Sequence, residues 1–200
     1  MASEAIVAQP SPGRWIARGW QIVMADLGNF VLMTVIALAL MLVGNIVVAG
    51  PLVAGLFVAV RRRMQESRTD VADVFAGFSQ FIDALLICLI TLAFALIGLT
   101  LFFFPVFIAM ALYVFPFLFL VDRKLSFWDA MEASRKLVLP NLFGYVFFVI
   151  LLTLLNFVGL MLFGVGVLVT IPVTVAAIAV AYEDSVGFHF KAPKGPVVIG

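Results

Sequence analysis

The chain has 200 residues, of which 65% are hydrophobic and 12% are charged, and its net charge is +1. Soluble domains contain about 45–50% apolar and about 25% charged residues, so this composition indicates an integral membrane protein and argues against a nucleic-acid partner. Cys88 is the single cysteine, which excludes an intramolecular disulfide. The length predicts a single membrane domain over residues 1–200.

Three blocks of the chain contain no Asp, Glu, Lys, Arg or His: residues 27–60, 84–121 and 137–182. A helix needs about 20 apolar residues to cross the hydrocarbon core, so each block fits two spans. We therefore predict an all-α polytopic fold with six transmembrane helices. The helices form three pseudo-repeated hairpins, at about 11–66, 69–124 and 125–184, followed by a C-terminal tail over 185–200.

An amphipathic helix is predicted before the first hairpin. Ser11 and Pro12 are typical of a helix start, Arg14 and Arg18 share one face, and Trp15 lies on the other. No cleavage site of the A-x-A type follows, so we expect the first span to stay attached. The pattern predicts a helix at the membrane interface.

The first hairpin is predicted to turn at Gly44-Asn45, and its second helix contains Pro51. This block is close to the minimum length for two crossings, so a re-entrant segment is the alternative. A cluster of arginines at 61–63 extends the second helix if the side chains reach back to the headgroups. Arg68 follows in the linker.

The second hairpin is preceded by a segment in which Val71, Val74, Phe75 and Phe78 recur with helical period, opposite Asp70, Asp73 and Gln80. This pattern predicts a second amphipathic helix with the aromatic side chains on its apolar face. The hairpin itself is predicted to turn at Gly98 and to contain Pro105 in its second helix.

The third unit begins with LSFWDAMEASRKL, residues 125–137. Ser126 is placed to cap a helix, Glu132 and Lys136 are four residues apart, and Trp128 can enter the headgroup boundary. We interpret this stretch as a third interfacial helix and not as an active site. The hairpin that follows is predicted to turn at residues 164–166 and to contain Pro172.

Each of the three turns is followed six or seven residues later by a proline, at Pro51, Pro105 and Pro172. A proline inside a helix frees a carbonyl, so three at matched depth are candidates for kinks around a polar vestibule. The simpler interpretation is that they are packing kinks, which are common in membrane helices.

The positive charges predict the topology. All 12 Lys and Arg lie in the N-terminal segment, the two linkers or the C-terminal tail, and the three turns carry none. On the positive-inside rule the linkers and both termini are cytoplasmic. Candidate headgroup residues on that side are Arg14, Trp15, Arg18, Arg61, Arg62, Arg63, Arg68, Trp128, Arg135 and Lys136.

This sequence contains few residues or motifs that are typical of catalysis. The spans carry no charge, His189 is the single histidine, and no phosphate-binding glycine loop or nucleophile elbow is present. We therefore expect no enzymatic activity, no cofactor and no metal site.

Four segments carry a resemblance to a known family: Pro51-Leu-Val-Ala-Gly55, residues 73–78, residues 127–136, and the end from Pro172 to Tyr182-Glu-Asp184. They resemble bacterial integral membrane proteins of unknown function, which are similar to the membrane domain attached to some glycerophosphodiester phosphodiesterases. The resemblance implies six helices in a bacterial cytoplasmic membrane. It implies no activity, because members of that group generally lack an assigned one, and the metal-binding carboxylates and histidines of a phosphodiesterase domain are not in this sequence.

The leading functional hypothesis is a non-enzymatic multi-pass protein that organises membrane lipids or partner proteins. An accessory subunit of a larger membrane complex and a homo-oligomer are both compatible with it. The alternative is a channel or permease that moves a small or apolar solute through a proline-lined centre.

Overall fold

The structure is a computed structural model that describes residues 10–100, 104–162 and 164–188, and every regular element within them is helical. Its α-helices are α1 (Pro12–Met24), α2 (Leu27–Glu66), α3 (Phe81–Thr100), α4 (Phe104–Leu112), α5 (Pro116–Arg123), α6 (Phe127–Val138), α7 (Leu142–Met161) and α8 (Val167–Ser185). Two 3₁₀ helices, Val71–Gln80 and Leu139–Asn141, precede α3 and α7. The predicted all-α class is confirmed.

The long helix α2 folds back on itself. Its backbone leaves the helical conformation at Asn45, where φ is 51° and ψ is −146°. The Arg63 guanidinium donates to the Ala25 carbonyl at 3.2 Å, whereas a straight helix would separate these residues by about 57 Å. The two arms of α2 are therefore antiparallel, and the turn lies at the predicted position.

Among the described residues, five helical stretches are long and apolar enough to cross a membrane: α2, residues 71–98, residues 105–123, residues 127–161 and α8. Counting the two arms of α2 separately gives six. Their outer surfaces are apolar, and Leu42, Val43 and Phe143 are each more than 80% exposed. Such a surface is stable in lipid and not in water, so the chain is a membrane protein.

The helix ends fall on two sides of the bundle. We call one the linker side: it holds α1, residues 66–70, residues 124–126 and the end of α8. Contacts near these parts support the grouping: Arg14 of α1 lies 3.0 Å from Asp184 of α8, Arg63 near the end of α2 donates to the Ala25 carbonyl just after α1 at 3.2 Å, and Lys124 donates to Gln80 at 3.0 Å. The opposite end, with Asn45 and residues 164–166, is the turn side. Gly164 has a φ of 75°, consistent with the turn predicted there.

The second hairpin departs from the prediction. Pro105 is the second residue of α4 that the structure describes, and a kink there stays a prediction. A break in this span lies at Tyr113–Phe115, directly before Pro116. Gly98 lies inside α3, close to Val106 of α4, and residues 101–103 lie outside the described residues.

The segment Val71–Gln80 is a ten-residue 3₁₀ helix and not the predicted amphipathic α-helix. Val74, Gly77 and Asp73 are buried, whereas Phe75 and Phe78 are exposed, so the predicted apolar face is wrong. The reason is the pitch: three residues per turn place Val74 and Gly77 on one face. That face packs on the second arm of α2.

Glycines make this packing possible because the two backbones touch. A Cβ added at Gly55 would lie 1.9 Å from the Val74 carbonyl oxygen, and one at Gly77 would lie 2.0 Å from the Pro51 carbonyl oxygen. Further along, a Cβ at Gly50 would meet the Ala84 carbonyl. Small residues at such contacts allow membrane helices to pack closely without a hydrophobic driving force.

We predict that Gly55→Ala destabilises the protein by about 1–3 kcal/mol or more, because the new methyl group meets backbone that has no room to move. Gly28→Ala, in the first arm of the same helix, is the matched control, since nothing lies within 4 Å of its Cβ. Reversible unfolding in mixed micelles, followed by circular dichroism, measures both. Equal stability of the two variants would contradict the backbone contact.

Candidate functional site

A cavity of about 440 Å³ lies between helices of all three hairpins and is partly open to the outside. No charged side chain among the described residues lines it. The apolar lining residues are Val53, Phe57, Met110, Val114, Phe117, Val149, Leu152, Val175 and Ile178. The polar lining residues are Thr91, Tyr113, Thr153, Asn156 and Thr174. We call this space the central cavity.

The polar residues of the central cavity lie on α3, α7 and α8, except Tyr113, which lies at the break after α4. The Asn156 amide of α7 donates to the Thr174 hydroxyl of α8 at 2.7 Å and to the Leu152 carbonyl at 2.9 Å. Thr153 donates to the Val149 carbonyl at 2.9 Å. Uncharged groups of this kind suit contact with an apolar molecule and offer no counter-ion for an ionic one.

The three repeated prolines do not line the central cavity, so the predicted proline-lined centre is wrong. Pro51 and Pro172 are buried inside α2 and α8. The Pro51 carbonyl faces Gly77 of the 3₁₀ helix, on a different side of α2 from the cavity. The simpler interpretation, that the prolines are packing kinks, stays a prediction.

The helix break beside the cavity is held by a serine of α6. The Ser134 hydroxyl donates to the Leu112 carbonyl at 2.7 Å and accepts from the Phe115 amide at 3.2 Å. Both backbone groups lost their helical partners at the break, and Ser134 is fully buried. In lipid such groups require a partner inside the protein. Sequence reasoning missed this role, because Ser134 looked like one more polar residue of an interfacial helix.

Tyr113 connects the central cavity to α6. It lines both the central cavity and a smaller cavity of about 90 Å³, whose other walls include Trp128, Met131 and Glu132. Its ring stacks on Phe94 of α3 with the centroids 5.1 Å apart. The break in the span therefore places one aromatic side chain between the membrane interior and the linker side.

A cluster of three side chains, Arg61, Asp122 and Tyr182, lies at the linker side of the central cavity. Arg61 of α2 lies 3.7 Å from Asp122 of α5 and donates to the Val121 carbonyl at 3.3 Å. The Tyr182 hydroxyl of α8 donates to Asp122 at 3.2 Å. Each member of this linker-side cluster lies four or five residues from a residue that lines the cavity, namely Phe57, Phe117 and Ile178.

Trp15 lies inside the bundle and not at the headgroups, since its side chain is fully buried. Its indole N–H donates to Asp184 at 2.7 Å. The ring stacks on Tyr145 and meets Phe148 edge-on, with centroid distances of 5.8 Å and 5.0 Å. The amphipathic pattern correctly separated Trp15 from the arginines, but the apolar face of α1 covers protein.

The two arginines of α1 meet the acidic end of α8. Arg14 lies 3.0 Å from Asp184, and Arg18 lies 2.8 Å from Glu183. Both arginine side chains remain about half exposed or more, at 66% and 47%. These ion pairs give the Tyr-Glu-Asp end of α8 a structural role.

The arginines after the first hairpin divide into inward and outward groups. Arg62 pairs with the buried Asp73, and Arg63 donates to the carbonyls of Ser67 and Ala25. Arg68 is exposed. Together with Arg62, it lines a polar pocket of about 440 Å³, whose other walls are Asn29, Glu66, Thr69, Asp70 and Val71.

The outer face of α6 is charged and exposed. Arg135 donates to Glu132 through two bonds of 2.9 Å and 2.8 Å, and Lys136 lies 3.4 Å from the same carboxylate. Ser126 caps the helix by accepting from the Asp129 amide, as predicted. Trp128 is 65% exposed. The contact of Trp128, Arg135 and Lys136 with headgroups stays a prediction.

Within residues 10–100, 104–162 and 164–188, no three His, Cys, Asp or Glu side chains are grouped to hold a metal ion. His189 and most of the predicted tail, residues 189–200, lie outside the described part of the chain. Comparison with protein-family models, with curated proteins and with solved structures finds no match to this chain.

We predict that Ser134→Ala destabilises the protein by about 1–3 kcal/mol, because the Leu112 carbonyl and the Phe115 amide are left buried without a partner. Ser79→Ala is the control, since the Ser79 hydroxyl is exposed and bonds only the nearby Ala76 carbonyl. Unfolding in mixed micelles measures the difference. A Ser134 variant as stable as the control would show that the break needs no bridging hydroxyl.

We predict that Asp122→Ala costs about 3–5 kcal/mol, because it leaves a partly buried arginine without its carboxylate. Glu132→Ala removes an exposed carboxylate from two ion pairs that solvent screens, so it is expected to destabilise the protein much less. The same unfolding assay compares them. If Asp122→Ala were no worse than Glu132→Ala, the linker-side cluster would not hold the hairpins together.

Proposed function

We propose that this chain is a non-enzymatic membrane protein that organises lipids, and that the central cavity holds the apolar chain of a bound lipid. The observation that carries the proposal is the cavity itself: about 440 Å³, partly open, and lined by apolar and uncharged polar side chains from every hairpin. Lipid tails are the apolar molecules present around any membrane protein.

Packing energetics support an occupied cavity. Atoms that face an empty space lose their dispersion contacts on that side, so a void of this size disfavours close helix packing. A lipid tail restores those contacts without bringing charge into the bundle. The aromatic walls at Phe57 and Phe117, whose rings stack 6.3 Å apart, are rigid surfaces for such a chain.

The exposed cations supply the second part of the proposal, which is recognition of anionic headgroups. Arg68, Arg135 and Lys136 are exposed, and the exposed Trp128 lies on the same helix as the last two, about two turns away. Each Lys or Arg near an anionic membrane surface contributes about 1 kcal/mol of attraction. Arg61 and Arg62 are not in this set, because their charges face Asp122 and Asp73.

The proposed setting is a bacterial cytoplasmic membrane, with the linker side and both termini in the cytoplasm. The distribution of Lys and Arg supports this orientation through the positive-inside rule. Three pseudo-repeated hairpins, each preceded by a polar helical segment, then surround the central cavity about an axis along the membrane normal.

The test is native mass spectrometry of the protein extracted in mild detergent. Val175→Phe puts a larger side chain into the cavity, whereas Val158→Phe makes the same change at a half-exposed position outside it. We expect the wild-type protein and Val158→Phe to carry bound lipid, and Val175→Phe to carry about tenfold less, which corresponds to about 1.4 kcal/mol.

Two results would overturn the proposal. One is a wild-type protein that carries no lipid, and the other is undiminished lipid on Val175→Phe. Reconstituted liposomes provide a separate readout: solute flux that Val175→Phe blocks and Val158→Phe preserves would favour the permease hypothesis. A partner protein that co-purifies in place of lipid would favour an accessory subunit.

A further inference from the structure

The polar pocket after the first hairpin is lined by charges of both signs. It has a volume of about 440 Å³, and its charged lining residues are Arg62, Glu66, Arg68 and Asp70. Glu66 is the last residue of α2, and Asp70 directly precedes the 3₁₀ helix. Because the ends of membrane spans lie at the level of the lipid headgroups, a headgroup can enter this space, which we call the linker pocket.

The carboxylate of Glu66 is open to a ligand. Arg62 forms an ion pair with the buried Asp73, and its Nε lies 4.0 Å from Glu66, which is too far for a hydrogen bond. The Glu66 side chain is 45% exposed. Asp70 is a second carboxylate of the pocket, but it also caps the 3₁₀ helix by accepting from the Ala72 amide at 2.9 Å.

Arg68 provides the complementary charge. It is exposed and forms no ion pair with the described residues. An anion alone would pair with Arg68 and leave Glu66 unmatched, and an organic cation alone would do the reverse. A metal ion is disfavoured, because the described His, Cys, Asp and Glu side chains form no group of three that could hold one. The two open charges therefore favour a ligand that carries both signs.

We propose that the linker pocket binds a phosphate joined to a primary ammonium, as in the headgroup of phosphatidylethanolamine. A guanidinium such as that of Arg68 binds a phosphate through two parallel hydrogen bonds. A primary ammonium has three N–H donors for the Glu66 carboxylate. A choline headgroup has no such donor and is typically bound by aromatic rings, whereas the other walls of the pocket are Asn29, Thr69 and Val71.

This inference rests on the headgroup part of the proposed function, in which Arg68 faces lipid. It names the headgroup class at Arg68, whereas Arg135 and Lys136 keep the general attraction to anionic headgroups. It does not depend on a lipid in the central cavity, because the two spaces share no lining residue.

The test uses the full-length protein in lipid nanodiscs and three phospholipid probes with a photoactivatable group close to the glycerol. Their headgroups are ethanolamine, choline and glycerol, and labelling of residues 62–71 is quantified by mass spectrometry over a concentration series. We expect the ethanolamine probe to bind about 2- to 5-fold more tightly than either of the others, as a partly exposed ion pair provides.

The decisive variants are Glu66→Gln and Arg68→Gln. Glu66→Gln keeps the size of the side chain but removes its charge, so it is expected to abolish the preference for ethanolamine over choline. Arg68→Gln is expected to weaken all three probes to a similar extent, because all three carry the phosphate. Glu132→Gln is the control, since it neutralises an exposed carboxylate of α6 outside the linker pocket and should leave the preference intact.

Two results would overturn the inference: equal binding of the three probes at residues 62–71, and an unchanged ethanolamine preference in Glu66→Gln. Tighter binding of the glycerol probe would also overturn it and would return Arg68 to general attraction of anionic lipids. None of these results alters the lipid carried in the central cavity, which Val175→Phe tests separately.

A competition experiment identifies the source of the group. Soluble glycerophosphoethanolamine has the same phosphate and ammonium but no acyl chains. If it displaces the ethanolamine probe at equal concentration, the ligand is a soluble compound of this chemistry. Labelling that resists the competitor assigns the pocket to the membrane lipid, which is the result we expect.

Discussion

The contact between Arg61, Asp122 and Tyr182 is the interaction on which the arrangement of the hairpins depends. It takes one side chain from each hairpin and joins them at one end of the bundle. Ionic groups in a low-dielectric setting are stable only as a set, so the three helices cannot separate there without stranding a charge. One turn further into the bundle, the same helices diverge around the central cavity. The cavity therefore follows from the position at which Arg61, Asp122 and Tyr182 join the helix ends.

The sequence predicts those features of the fold that arise because charged side chains are excluded from lipid. The three uncharged blocks indicated the membrane class and the number of crossings, and the turn in the first block lies at Asn45 as expected. The Ser126 cap and the Glu132–Lys136 ion pair were also predictable, because both depend on residues within one turn of each other. Local spacing determines such contacts without knowledge of the fold.

The rest depends on contacts between distant parts of the chain. Trp15 and Asp73 have the spacing of interfacial residues, yet both are buried, because Asp184 and Arg62 provide their partners. The role of Ser134 required the break at residues 113–115, which lies in an uninterrupted apolar run. Hydrophobicity alone does not reveal a discontinuity of that kind.

The pitch of the segment Val71–Gln80 also determines how deep the second hairpin sits in the bilayer. Ten residues of 3₁₀ helix rise about 20 Å, whereas the same residues as an α-helix rise about 15 Å. A change of pitch would move the start of α3 by about 5 Å along the second arm of α2. Bilayers differ in thickness by a similar amount, about 27–33 Å. The 3₁₀ pitch of this segment therefore sets the level at which α3 starts along the second arm of α2.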